Sequence, residues 1–150
     1  MNALQFLERT QAAYEAKQYA QALSLIADAE AEGKVCPDLL IIKGACVQLS
    51  SETDFPVDRA LEVYRGLLAS QPRNARAALE AGFFLLNVSD DPVRAAPHFS
   101  HAAKVFGDFF EQAVIGLSKS VIETGTKRNE AILEIEAKLS SMLDHIRSSQ

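Results

Sequence analysis

Two histidines, His98 and His101, stand three residues apart and have the best spacing in this sequence for holding a metal ion. Imidazoles at positions i and i+3 of a helix lie on one face, and Asp91 or Asp108 would supply a third ligand. Phe99 marks the buried side of the same helix, however, so the pattern turns both imidazoles towards solvent. We therefore predict that these histidines hold no metal and that the protein uses no cofactor.

The other reactive residues form no catalytic pattern. The sequence contains no GxSxG, HExxH, GxxxxGK[ST] or GxGxxG motif. Cys36 and Cys46 stand ten residues apart without CxxC spacing, which is typical of free thiols rather than of a zinc site or a redox pair. Asp90 and Asp91 precede Pro92, where an aspartate caps a helix rather than acting as a general acid or base. We predict that the protein is not an enzyme.

Length, composition and charge exclude several classes of protein and of binding partner. The 150 residues are 48% hydrophobic, which predicts one globular domain, and no apolar run approaches the roughly 20 residues of a membrane span. Glu8 and Arg9 stand where a signal peptide needs apolar residues, which favours the cytoplasm. The 15 Lys and Arg against 20 Asp and Glu give a net charge of −5 without a basic cluster, so we predict no nucleic-acid and no membrane partner.

Helix-forming residues fill the chain between short breaks, and strand-like alternation is nearly absent, so we predict an all-α fold. Gly, Pro and Ser residues mark the breaks. They divide the chain into eight helices near 2–16, 18–32, 38–50, 56–70, 74–88, 92–106, 108–123 and 127–147.

The helices repeat in pairs. Gly44, Gly82 and Gly116 recur in alternate helices at intervals of 38 and 34 residues, and interior glycine is tolerated where another backbone comes close. The even-numbered helices repeat an alanine followed four residues later by a large apolar residue, in Ala22 to Ile26, Ala60 to Tyr64, Ala95 to Phe99 and Ala131 to Ile135. This period predicts stacked helical hairpins rather than a bundle.

On these residues the chain resembles the tetratricopeptide repeat (TPR) family, whose unit is a helical hairpin of about 34 residues. The second unit matches best, with Leu40, Gly44, Val47, Ala60, Leu61, Tyr64, Leu68 and Pro72. Departures are Thr10 at the family's glycine position, an insertion at Ser50 to Pro56, and Pro97 within a helix. The resemblance implies a single TPR-like domain over 1–150, a right-handed α-solenoid of three to four hairpins, with repeats near 2–36, 37–73 and 74–107 and a degenerate fourth unit plus cap at 108–150.

The last helix carries an apolar stripe, formed by Ile132, Ile135, Leu139, Met142 and Ile146. We interpret this amphipathic helix as a cap on the final repeat, because the ends of a solenoid need a polar outer surface. Dimerisation through this stripe is the alternative, so we expect a monomer or a weak homodimer.

In the TPR family the first helix of each hairpin lines a concave groove that binds the ligand. The resemblance therefore implies a partner-binding groove of Leu4, Leu7, Gln11, Tyr14, Ile41, Ala45, Gln48, Leu79, Phe83, Leu86, Asn87, Phe110, Ala113 and Leu117. These residues are mostly apolar, which predicts a protein-protein interaction module, an adaptor or chaperone, that binds an apolar extended or helical segment. The alternative is that the aromatic residues, including Phe83 and Phe110, are packed core.

Two further comparisons with the family refine this expectation. Relatives that grip a C-terminal carboxylate use Lys, Arg and Asn where this chain has Leu7, Gln11, Ile41, Ile42, Arg76 and Glu80, so a carboxylate clamp is not expected. Size and groove chemistry resemble bacterial chaperones of type III secretion translocators. The alternative function is an immunity protein that neutralises a bacterial toxin, since a net charge of −5 would steer it to a basic nuclease.

Overall fold

The computed structural model describes residues 1–50, 56–124 and 130–148, and the side chains of these residues except 117–124, 130–132 and 146. The described residues form seven helices and no strand, which confirms the all-α prediction. The helices are α1 (Ala3–Glu15), α2 (Tyr19–Ala31), α3 (Pro37–Leu49), α4 (Arg59–Ser70), α5 (Ala75–Asn87), α6 (Pro92–Thr124) and α7 (Glu130–Ser148). The predicted insertion at Ser50 to Pro56 lies largely outside the described residues.

The predicted break at Gly107 and Asp108 is wrong, because both residues lie within α6, a single helix of 33 residues. An interior glycine costs a helix only about 1 kcal/mol relative to alanine, and it ends a helix only where it adopts the left-handed conformation. Gly33 does so after α2, with φ of 65°. Pro97 also lies within α6.

Local capping explains where several helices begin. Asn2 and Gln5 form a reciprocal capping box at α1, and the Asn74 side chain accepts a hydrogen bond from the backbone N–H of Ala77 at 2.9 Å. At α6 the Asp91 carboxylate accepts a hydrogen bond from the backbone N–H of Arg94 at 3.0 Å. The prediction that this aspartate is a helix cap is therefore confirmed.

Residues Met1–Phe106 form one compact unit. In it each of the helices α1 to α4 packs against the next one, and the odd-numbered helices also meet, α1 with α3 and α3 with α5. This is the order of contacts that stacked helical hairpins produce. Because α3 packs against α1, α2, α4 and α5, it lies at the centre of the unit.

Two clusters of buried side chains form the core of this unit, and α3 contributes to both. The first cluster joins α1, α2 and α3 through residues that include Phe6, Ala13, Ile26, Leu39 and Cys46. The second joins α3, α4, α5 and the start of α6 through residues that include Val47, Leu61, Tyr64, Phe84, Leu85 and Ala95. A helix that supplies two cores must be apolar on most of its surface, as the sequence of α3 is.

Two of the three repeated glycines make room for an aromatic ring of the next helix. A Cβ atom at Gly44 would lie 2.8 Å from the Tyr64 hydroxyl oxygen and closer still to the ring, and one at Gly82 would lie 2.8 Å from Cε1 of Phe99. The prediction that another backbone comes close at these glycines is therefore wrong, because the close approach is made by a side chain. A Cβ atom at Gly116 would meet no atom within 4 Å, so the third glycine has no such role.

Residues Gly107–Gln150 form the second compact unit, which holds the rest of α6 and α7. Of the apolar stripe of α7, Leu139 and Met142 are 41% and 56% exposed. The interpretation of α7 as a cap on the final repeat stays a prediction. The side chains of Ile132 and Ile146 lie outside the described set. None of the described helices combines the length and apolarity needed to cross a membrane.

Thr10 is a buried polar residue whose hydroxyl oxygen forms no hydrogen bond with the described residues. Burying such a group without a partner costs about 1–3 kcal/mol. We therefore expect Thr10→Val, which keeps the shape and removes the hydroxyl, to raise the free energy of unfolding by about 1 kcal/mol in urea denaturation. Thr10→Ser keeps the hydroxyl and loses a methyl group, so it should lower stability. A loss of stability in Thr10→Val would contradict this account.

Candidate partner-binding face

The α1 residues predicted for the groove lie on one side of that helix. Leu4 is 62% exposed, whereas Leu7 and Tyr14 are half-buried against the first core cluster. The Tyr14 ring packs against Tyr19 of α2 with centroids 5.9 Å apart. Gln11 is exposed and donates a hydrogen bond to Glu15 of the same helix. This helix therefore offers apolar surface mainly through its leucines and its tyrosine.

The α5 residues predicted for the groove are the most exposed as a group. Phe83 and Leu86 are 45% and 39% exposed, Asn87 is exposed, and Leu79 is half-buried. Phe83 contacts Phe99 of α6 edge to face, with ring centroids 5.1 Å apart. Phe83 is thus in contact with α6 and still 45% exposed.

The α3 residues are recessed between these two helices. Ile41 is 3% exposed and belongs to the second core cluster, so its prediction as a groove residue is wrong. The physical reason is that α3 packs against both α1 and α5, which cover its side chains. Ala45 and Gln48 remain half-buried, and the Gln48 amide donates a hydrogen bond to the Tyr64 hydroxyl at 2.9 Å. Gln48 was predicted to contact the partner, but its side-chain amide already forms a hydrogen bond within the protein.

We call this surface the inner face and define it by nine residues. They are Leu4, Leu7, Tyr14, Ala45, Gln48, Leu79, Glu80, Phe83 and Leu86. Exposure is highest on α1 and α5 and lower on α3, so two apolar walls flank a recessed floor.

The carboxylate of Glu80 lies within this mostly apolar surface. On α5, Arg76, Leu79, Glu80 and Phe83 share one face, because residues three, four and seven apart lie on one side of a helix. Burial raises the pKa of Tyr14, the neighbouring Cys46, Tyr19 and Glu80 raise it further, and the positive charge of Arg76 opposes them. The effect of Glu80 means that this α5 carboxylate and the α1 ring are electrostatic neighbours.

The buried Tyr64 is a second electrostatic neighbour of Glu80. Burial raises the pKa of its hydroxyl, and the negative charge of Glu80 acts in the same direction. The ring is 0% exposed, lies against Gly44, and accepts the Gln48 hydrogen bond. From the sequence, Tyr64 was predicted only as a repeat residue and Glu80 only as a position unsuited to a carboxylate clamp. The rule that pairs a glycine with an aromatic ring of the next helix would have located Tyr64.

The two histidines differ in their surroundings. His98 is half-buried, and burial followed by the charge of Arg65 lowers its pKa, so the prediction that it faces solvent is wrong. His101 is exposed, and its Nε2 lies 2.6 Å from the backbone carbonyl oxygen of Pro72. Across the residues whose positions are described, no group of three or more His, Cys, Asp and Glu residues could hold a metal ion.

The two cysteines are free, as their spacing predicts. Cys46 is buried in the first core cluster and Cys36 is half-buried. Burial raises the pKa of the Cys46 thiol to about 11. Since the thiolate is the reactive form, this cysteine is a packing residue at neutral pH.

Three predicted groove residues belong to the second unit. Phe110 is 41% exposed and Ala113 is exposed, while the side chain of Leu117 lies outside the described set. The inner face is defined by residues of α1, α3 and α5, all of which belong to the first unit.

Comparisons with known proteins give no relative for this chain. No family profile, no curated protein and no solved structure matches it.

Proposed function

We propose that the first unit is a TPR-like right-handed solenoid that binds another protein on the inner face and catalyses no reaction. In this proposal the protein acts in the cytoplasm as a bacterial adaptor or chaperone, and its occupant is an apolar extended or helical segment. The observation that carries the proposal is the exposure of large apolar side chains on both walls of the inner face. Leu4, Phe83 and Leu86 are 62%, 45% and 39% exposed.

Burial of these side chains would supply the binding energy. Each Å² of apolar surface removed from water contributes about 25 cal/mol, and clustered exposed apolar residues are typical of interaction sites. Phe83 is the best anchor, since its contact with Phe99 already restrains the ring and reduces the entropy lost on binding.

The proposal predicts which substitution weakens binding. A partner is isolated from a bacterial lysate, and its affinity for the full chain is measured at about 0.05 M and 0.5 M salt. We expect Phe83→Ser to weaken binding about tenfold or more, because it removes an aromatic anchor. Val93→Ser is the matched control, since Val93 is 80% exposed on α6 and lies outside the inner face. This control should bind like the unmodified chain.

The dependence of the binding affinity on salt concentration distinguishes this function from the toxin-neutralising alternative. Apolar burial is barely screened, whereas binding steered by the net charge of −5 loses association rate as ionic strength rises. Strongly salt-sensitive binding that Phe83→Ser leaves unchanged would contradict the proposal and favour an immunity protein. Circular dichroism of each variant establishes that the substitution has not unfolded the chain.

A further inference from the structure

Glu80 is a half-buried carboxylate on the inner face. Within the part of the chain that the structure describes, it has neither a hydrogen bond nor an ion pair. The nearest basic residue on the same face, Arg76 one turn earlier, is paired with Asp38 of α3, with 3.5 Å between Nη1 and Oδ1. A carboxylate that is partly removed from water and lacks a partner favours a cation brought by another molecule.

The groups around Glu80 also favour a cation. Tyr64 is an electrostatic neighbour of Glu80, and its hydroxyl oxygen accepts a hydrogen bond from the Gln48 amide. Tyr14 is its neighbour from α1, and the Phe83 ring lies one turn further along α5. Aromatic rings attract cations, and the aliphatic stem of a Lys or Arg packs against apolar walls while its charged end reaches a carboxylate.

We propose that the segment bound on the inner face carries a Lys or Arg among its apolar residues, and that this cation pairs with Glu80. This inference rests on the proposed function, because it specifies the partner of the same surface. A free C-terminal carboxylate is the opposite chemistry, and Glu80 would repel it.

Peptide selection on the immobilised full chain tests this proposal without a known partner. A library of random linear peptides displayed on phage is selected against the unmodified chain, Glu80→Gln, Glu62→Gln and Phe83→Ser. Glutamine keeps the shape of Glu80 and removes its charge. Glu62→Gln is the matched control, because it changes the net charge equally at an exposed site on α4 where Glu62 is 67% exposed.

We expect the unmodified chain and Glu62→Gln to select peptides that combine large apolar residues with a Lys or Arg at a constant spacing. Glu80→Gln should keep the apolar residues and lose the basic one. A selected peptide is then synthesised with glutamine in place of its basic residue. The unmodified chain should bind the basic form about ten- to a hundredfold more tightly, and Glu80→Gln should bind the two forms about equally, which completes a double-mutant cycle.

The possible outcomes distinguish the pairing with Glu80 from the proposed function. Apolar peptides without enriched Lys or Arg would overturn the pairing with Glu80 and leave the proposed function intact. Basic enrichment that persists in Glu80→Gln would also overturn the pairing, because the cation would then bind elsewhere. No enrichment by the unmodified chain, or peptides whose binding Phe83→Ser does not weaken, would overturn the proposed function itself.

Discussion

Replacing Gly44 with leucine is expected to lower the free energy of unfolding by about 3 kcal/mol, the upper end for overpacking a protein core. The new Cβ atom would lie 2.8 Å from the Tyr64 hydroxyl oxygen and closer to its ring. The Tyr64 ring cannot shift without disturbing its neighbours, because the residue is 0% exposed and its hydroxyl is hydrogen-bonded to Gln48. Helix propensity opposes the loss, but only by about 1 kcal/mol. Urea denaturation followed by circular dichroism measures the difference.

Gly82→Leu should cost less, about 1–3 kcal/mol, because Phe99 is only half-buried and can shift. Gly66→Leu is the control, since a Cβ atom at this glycine of α4 would meet nothing within 4 Å. There the gain in helix propensity acts alone, and stability should rise by about 0.5–1 kcal/mol. Equal losses at Gly44 and Gly66 would mean that the contact with Tyr64 is not formed. A Gly82→Leu variant as stable as the unmodified chain would exclude the contact with Phe99.

Phe84→Ala is expected to lower the free energy of unfolding by about 3–5 kcal/mol, since it leaves a cavity in the second core cluster. The Phe84 side chain is 1% exposed. Whole domains are stable by only about 5–15 kcal/mol, so this one change would remove a large part of the total. Chemical denaturation should show an earlier midpoint with an unchanged slope.

The adjacent residue gives a matched comparison. Phe83 is 45% exposed and loses one edge-to-face contact when truncated, so Phe83→Ala should cost about 1 kcal/mol. The two variants therefore separate stability from binding, because Phe84 supports the core and Phe83 is proposed to anchor the partner. If Phe83→Ala destabilised the chain more than Phe84→Ala, the assignment of the faces of α5 would be wrong.

Local features of the sequence determined the helical class and most helix ends. The caps at Asn2, Asn74 and Asp91 act on backbone groups within a few residues, so their effect is readable without the fold. The helical period of small and large residues likewise marked Gly44 and Gly82 as sites of close contact. A single glycine is a weaker signal, and α6 continues through Gly107 because no left-handed turn follows.

Only the tertiary structure decided which residues of the inner face are accessible. Ile41 and Phe83 were both predicted as groove residues, yet the first is 3% exposed and the second 45%, because α3 is covered by helices on both sides. The Gln48 amide is hydrogen-bonded to Tyr64, and Glu80 has no hydrogen bond or ion pair with the described residues. Burial and pairing depend on helices far apart in the chain, and helical periodicity reports only which side of its own helix a residue occupies.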